Sequence, residues 1–220
     1  MSKSESSDMV KIGSKGTLAV VLSGLEGFKE PKVMSEQYMT DSEIAAQVLW
    51  NAKLIGDIRK VSVDLGCGTG ILGIGLMLLG SEKVIFVDSD EKTLGIAKKN
   101  LERIKSEGYA IGKAIFICKD IADFNEKCDL AVQNPPFGTK VSHADKKFLK
   151  KAFETSNIIY SFHKNESKKF IEKLSTENDF VVTNVWDFEF PLKATYDYHR
   201  RKIKRIKVSC FRIEKQKLFK

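Results

Sequence analysis

"VSVDLGCGTGILGIGLMLLG", residues 61–80, decides the fold. A short β-branched run, 61–66, leads into glycines at 66, 68 and 70, and an apolar run follows from Ile71. A strand that enters a glycine turn and leaves as a helix begins a β-α-β unit. Glycine lets the backbone turn tightly there and approach a ligand closely. The spacing is not that of a dinucleotide site, because the third glycine of G-x-G-x-x-G would fall at Ile71. A P-loop lysine is also missing. The apolar run is far shorter than the roughly 20 residues of a membrane span, so it reads as a core helix.

The same alternation continues outward. "KVIFVD" (83–88) reads as a second strand with "EKTLGIAKKNLERIK" as its amphipathic helix. "AIFICKD" (114–120) and "CDLAVQ" (128–133) are a third and a fourth strand. "DKKFLKKAFETS" is a helix, "NIIYSF" a fifth strand and "ESKKFIEKLS" another helix. Upstream, Thr40 or Asp41 caps a helix in which Ile44, Val48 and Leu49 repeat at helical spacing, with Glu43 in its first turn. Strands and helices alternating over short links predict a parallel sheet with helices on both faces. Two long alternating runs, "FVVTNVWDFEFP" and "KIKRIKVSCFRI", predict an antiparallel C-terminal hairpin closing one edge.

The 220 residues suit a single domain, read here as 16–220 with an N-terminal helical extension, preceded by a polar, disordered tail over 1–15. Apolar residues make up 42% of the chain, enough for a sizeable core. Lys and Arg outnumber Asp and Glu by 37 to 29, and the pI near 9.2 points to a polyanionic partner. Cys67, Cys118, Cys128 and Cys210 form no C-x-x-C pair, which argues against zinc and a disulfide framework and for reduced, mostly buried thiols. The polar N-terminus has no apolar stretch of the signal-peptide kind, and a cytoplasmic protein is expected.

Three acids close three successive strands: Asp64, Asp88 and Asp120. Ligands of open α/β sheets bind at that edge. Asp64 suits an amine, Asp88 the two hydroxyls of a ribose and Asp120 the exocyclic amine of an adenine. An acidic, glycine-lined crevice without a phosphate cradle fits S-adenosylmethionine better than a dinucleotide.

The fourth strand runs into "NPPFGTK" (134–140). A chain needing only a turn could use glycine or asparagine, whereas each proline here gives up a backbone donor. The rigidity makes sense if two acceptors must be held against an amine. Asn134 offers its side-chain carbonyl and Pro135 its main-chain carbonyl, Pro136 stiffens the turn, and Phe137 can stack on a flat base for about 1–3 kcal/mol. Held by both hydrogens, an amino nitrogen conjugated to a ring turns its lone pair toward the donor. Such a site works by positioning and electrostatics. Adenine N6, guanine N2 and a glutamine amide all remain open as acceptors from this motif alone.

"DLGCGTG", "VDSD" and "NPPFGTK", in this order, resemble class I S-adenosylmethionine-dependent amino methyltransferases. Together with "LEGFKEPKVMSEQYMTDSEIAAQVLW", "IYSFHK" and "ATYDYHRRK" they are similar, from about Leu22 to Lys207, to the archaeal and eukaryotic small-subunit ribosomal RNA adenine-N6 methyltransferase family. The resemblance implies a Rossmann-like class I methyltransferase domain, with a seven-stranded, mostly parallel sheet. It implies that Gln37, Tyr38 and Thr40 cover the cofactor. It assigns the holding of the cofactor to Asp64, Gly66, Cys67, Gly68, Asp88, Asp120, Ile121 and Asn134, and the holding of adenine to Asn134, Pro135, Pro136 and Phe137. It further implies ribosomal RNA as substrate and a small zinc-ribbon activator protein as partner, with no metal site in the chain itself.

"HRRKIKRIK" (199–207) carries six Lys or Arg. Arg200, Arg201, Lys202, Lys204 and Arg205 are candidates to grip RNA phosphates, against the plainer reading of a charge-guarded edge strand. His143, His163 and His199 lack metal or triad spacing and read as structural hydrogen-bonding groups, with His163 near the substrate side. Trp50 and Trp186 read as core or partner-facing aromatics.

Overall fold

In the computed structural model, which describes residues 10–28, 40–136, 144–192 and 204–216, two helices precede the sheet among the described residues: α1 (Lys15–Ser23) and α2 (Ser42–Ile55). Ser14 caps α1 through the Thr17 N–H, and Asp41 caps α2 through those of Glu43 and Ile44. Then come β1 (Val61–Leu65), α3 (Ile71–Leu78), β2 (Lys83–Asp88), α4 (Glu91–Ser106), β3 (Lys113–Cys118) and β4 (Cys128–Gln133). The chain continues as α5 (Ala144–Thr155), β5 (Ser156–Lys164), α6 (Lys168–Thr176), β6 (Phe180–Leu192) and β7 (Lys204–Lys215). From α2 onward these are the elements the periodicity predicts.

The strands form one sheet in the order β3-β2-β1-β4-β5-β7-β6. The first five are parallel; β7 runs antiparallel to both β5 and β6. The later strand of the hairpin therefore lies inside the sheet and the earlier one forms the edge. Composition explains the choice. β7 buries Val208, Cys210, Phe211 and Ile213, whereas β6 carries Asn184, Asp187 and Glu189, the polar residues of a guarded edge.

Two apolar layers sandwich the sheet. One gathers Leu18, Leu22, Leu49, Ile74, Phe86, Leu101 and Leu130 between the sheet and α1–α4. The other joins Val63, Ile85, Ala131, Leu149, Ile171 and Phe211 beneath α5 and α6. Glycine permits one close approach: a Cβ at Gly73 would overlap the Phe86 ring, so α3 lies unusually near β2. A buried ion pair ties the helical extension to the hairpin. Arg212 donates from Nε to Asp57 Oδ2 at 2.6 Å and from Nη2 to Oδ1 at 3.0 Å, and the Tyr160 hydroxyl donates to the same carboxylate at 2.7 Å.

One expectation needs correction. Residues 10–15 belong to the folded domain: Val10 pairs beside Tyr109, Ile12 is buried and Ser14 caps α1. One buried apolar residue, Ile12, and the main-chain bonds of Val10 to Gly108 and Ala110 suffice to hold this polar stretch; residues 1–9 lie outside the described residues. Cys118 is exposed, unlike the other three thiols, because it ends β3 at the open edge of the sheet. Among the described residues no helix is long and apolar enough to cross a membrane.

Candidate active site

β1 and β4 are neighbours, and their register pairs Leu65 with Gln133. Asn134 therefore leaves the sheet beside Gly66, where the strand order reverses. Gly66, Gly68 and Gly70 take φ values of +66°, +55° and +88°, a left-handed backbone that side chains disfavour. The turn is held by main-chain donors: Cys67 N–H to Val87 O at 3.0 Å, Gly68 N–H to Asp88 Oδ2 at 2.9 Å and Gly70 N–H to Cys67 O at 2.9 Å. Two rings flank it. A Cβ at Gly66 would lie 2.7 Å from Phe148 of α5, and one at Gly68 would lie 3.2 Å from Phe28.

The three acids do sit at successive strand ends, in different environments. Asp64 is buried and accepts the Gly73 N–H at 2.8 Å. Burial, opposed by that bond and helped by the charge of Asp88, raises its pKa to about 7. A cation arriving at Asp64 is thus paired with a carboxyl that otherwise resists ionisation. Asp88 accepts Gly68 N–H with one oxygen and Asp90 N–H with the other, at 2.9 Å each. A carboxylate has about four acceptor positions, so both oxygens can still receive a ribose hydroxyl. Asp120 accepts the Ala122 N–H at 2.8 Å and pairs with Lys147, which holds its pKa below the usual carboxylate range. Its negative charge is therefore already engaged from α5. Ile121 is buried beside it, and burial pushes the Cys67 thiol up, so neither contributes charge.

Asn134 shows the most informative arrangement. Its Nδ2 donates to Thr40 Oγ1 at 2.9 Å, and its Oδ1 is buried with no hydrogen-bond partner. In this arrangement the amide nitrogen is spent on Thr40 and the oxygen is left as an acceptor. A buried carbonyl without a partner costs about 1–3 kcal/mol, a cost that a donor supplied by a ligand would remove. Pro135 is buried next to it. Thr40 does not cap α2; Asp41 does, which leaves the threonine hydroxyl for Asn134.

Behind this turn lies a second polar chain. Gln133 Nε2 donates to Ser161 Oγ at 2.8 Å, and Ser161 Oγ lies 2.6 Å from His163 Nε2. The serine hydroxyl has one proton and two lone pairs, so beside the Gln133 donor it pairs with His163 in either tautomer of the imidazole. Burial lowers the His163 pKa to about 3, in keeping with a neutral imidazole. His163 is the structural group its surroundings in sequence suggest. Trp186 stacks on Tyr160 at 5.9 Å, and Trp50 packs on the core with Lys53 above its ring.

Gln37, Tyr38, Phe137, Arg200, Arg201 and Lys202, with His143 and His199, lie outside the described residues. Lys204 and Arg205 open β7, and only their backbone is described. Phe28, Phe148, Asn100 and Gln133 were not apparent as site residues from sequence. Asn100 carries a usable signal, a polar residue on the apolar face of α4, between Ala97 and Leu101.

The chain matches the methyltransferase small domain over residues 28–158. It is 31% identical to the zebrafish (Danio rerio) rRNA N(6)-adenosine-methyltransferase METTL5 over 87% of this chain and 94% of that protein. It is 35% identical to an uncharacterised protein of Methanocaldococcus jannaschii over 91% and 94% of the two chains. Among solved structures, a proposed RNA methyltransferase from Pyrococcus horikoshii superposes with a TM-score of 0.83 at 41% identity, covering 94% of this chain and 98% of that one. With its glycine turn, its strand-end acids and its Asn-Pro-Pro turn meeting at one sheet edge, the chain belongs to the methyltransferase small-domain family and, within it, to the METTL5-like rRNA N6-adenosine methyltransferases.

Proposed function

We propose that the protein transfers a methyl group from S-adenosylmethionine to N6 of an adenine in small-subunit ribosomal RNA. The observation that carries this reading is the amide of Asn134, its nitrogen tied to Thr40 and its oxygen buried and unpartnered beside the glycine turn. S-adenosylmethionine supplies an electrophilic methyl on a positively charged sulfur. Asp64, Asp88 and the turn at Gly66 and Gly68 would hold it, while Asp120 and Ile121 border the adenine end.

Asn134 Oδ1 accepts one hydrogen of the target N6 amine, and the main-chain carbonyl of Pro135 accepts the other. With both hydrogens held, the nitrogen gives up conjugation with the ring and points its lone pair at the methyl group. The shielding of Oδ1 from water strengthens that bond. Adenine reaches this oxygen only by displacing the atoms that cover it. The methylated nitrogen is acidic and sheds its proton readily, so no strong base is required.

Phe137 stacks on the base, and Gln37 and Tyr38 close over the cofactor. Arg200, Arg201, Lys202, Lys204 and Arg205 bind RNA phosphates. The zebrafish relative's name supports adenine N6 of RNA as the acceptor over guanine N2 or a glutamine amide. A zinc-ribbon activator fits the outer side of β3: this edge strand is paired only with β2 among the described residues and leaves Ile115, Phe116 and Ile117 half-buried. The reaction belongs to the cytoplasm.

The test incubates the protein, with and without a zinc-ribbon partner, with labelled S-adenosylmethionine and total RNA or protein, followed by digestion and identification of the product. Labelled N6-methyladenosine is expected. Labelled N2-methylguanosine, methylglutamine, or RNA retention without transfer would each overturn the proposal.

A further inference from the structure

Asn100 breaks a local rule. It lies within α4 on the face that buries Leu94, Ala97, Leu101 and Ile104, and it is only 1% exposed. An amide inside a helix and away from water is costly unless fully bonded. Its partners are not in its own helix. Oδ1 accepts the Glu26 N–H at 2.7 Å, and Nδ2 donates to Glu26 O at 3.0 Å and to Thr69 O at 2.9 Å. Thr69 sits in the glycine turn between Gly68 and Gly70. Glu26 lies two residues before Phe28, whose ring faces Gly68. One side chain therefore joins the chain entering the site to the turn that forms its floor.

We infer that Asn100 is a positioning residue for the cofactor: it latches the peptide of Glu26 to that of Thr69, so that Phe28 walls the Gly68 side of the crevice. It touches neither cofactor nor base and acts through backbone alone. The inference rests on S-adenosylmethionine as the cofactor. A purely structural role would lower stability and leave the affinity of the folded protein for cofactor unchanged.

The decisive experiment measures binding of S-adenosylhomocysteine to Asn100→Ala by calorimetry, at a temperature where circular dichroism shows the variant folded, together with steady-state kinetics. The expected result is a Kd and a KM for S-adenosylmethionine raised about tenfold, with kcat at saturation within about threefold of the wild type, since buried bonds are lost away from the reacting atoms. An unchanged Kd overturns the inference. Should the variant not fold, hydrogen exchange of the wild-type Glu26 amide replaces it: saturation with S-adenosylhomocysteine should slow exchange about tenfold or more, because ligand suppresses opening of the latch. Unchanged exchange in a saturated protein overturns the inference. A wild-type protein that binds no S-adenosylhomocysteine removes the cofactor reading itself, and this inference with it.

Discussion

Replacing Asp64 with asparagine should stabilise the cofactor-free protein at mildly alkaline pH while destroying its affinity for the cofactor. Asp64 is almost fully buried with one hydrogen bond, from Gly73, and its pKa rises from 3.8 to about 7. The folded value lies above the unfolded one, so this carboxyl favours the fold fully below about pH 4 and the benefit is lost as pH rises through about 7. A rise of this size corresponds to about 4 kcal/mol at 1.36 kcal/mol per unit. Asparagine has the same shape, keeps an acceptor for the Gly73 N–H and never ionises. Urea unfolding of both proteins without ligand, from about pH 4 to 8, isolates the effect because every other titrating group is shared. The stabilities should coincide at the acid end and diverge by up to about 4 kcal/mol in favour of Asp64→Asn at pH 8. Saturating S-adenosylmethionine should then stabilise the wild type and leave the variant unchanged. A variant no more stable than the wild type at pH 8 would refute the reasoning.

Gly66→Ala puts a side chain at φ +66° and 2.7 Å from the Phe148 ring, so it should cost about 1–2 kcal/mol in thermal unfolding and weaken cofactor binding in calorimetry. Asp57→Ala removes the acceptor of Arg212 Nε and Nη2 and of the Tyr160 hydroxyl, while Nη1 keeps Glu214, and should destabilise by about 3 kcal/mol in urea. Replacing Arg200, Arg201 and Lys202 together with serine should weaken RNA binding uniformly across sequences and reduce the slope of log K against log salt by about 2, as filter binding at several salt concentrations would show.

What could be read from the residues was local. The β1 run, the glycine turn and the apolar α3 follow one another in sequence, so periodicity alone reveals them. The C-terminal hairpin was legible because two long runs, 180–191 and 202–213, alternate at the strand period. Its insertion order was not, because burial of β7 on both faces depends on what β5 and β6 offer. The site's strand-end residues were legible because parallel strands bring their ends together by topology. The bonds that set their chemistry were not. Thr40 meets Asn134 across 94 positions, and Asn100 meets Thr69 across 31 and Glu26 across 74. Such pairs are fixed by helix placement, and only an apparent misfit, such as an asparagine on the apolar face of α4, hints at them. The tail shows the converse over 10–15: a polar composition suggested disorder, and the burial of Ile12 and the capping of α1 by Ser14 overrode it there.

The most direct measurement is single-turnover methyl transfer by Asn134→Ala to an RNA that the wild type methylates, alongside calorimetric binding of S-adenosylhomocysteine. If the unpartnered Oδ1 of Asn134 holds the target amine, the rate falls by about 100- to 1,000-fold, the size expected for losing one preorganised hydrogen-bonding group, while the Kd stays within about threefold. A rate within tenfold of the wild type, or a loss of cofactor binding equal to the loss of rate, would contradict it.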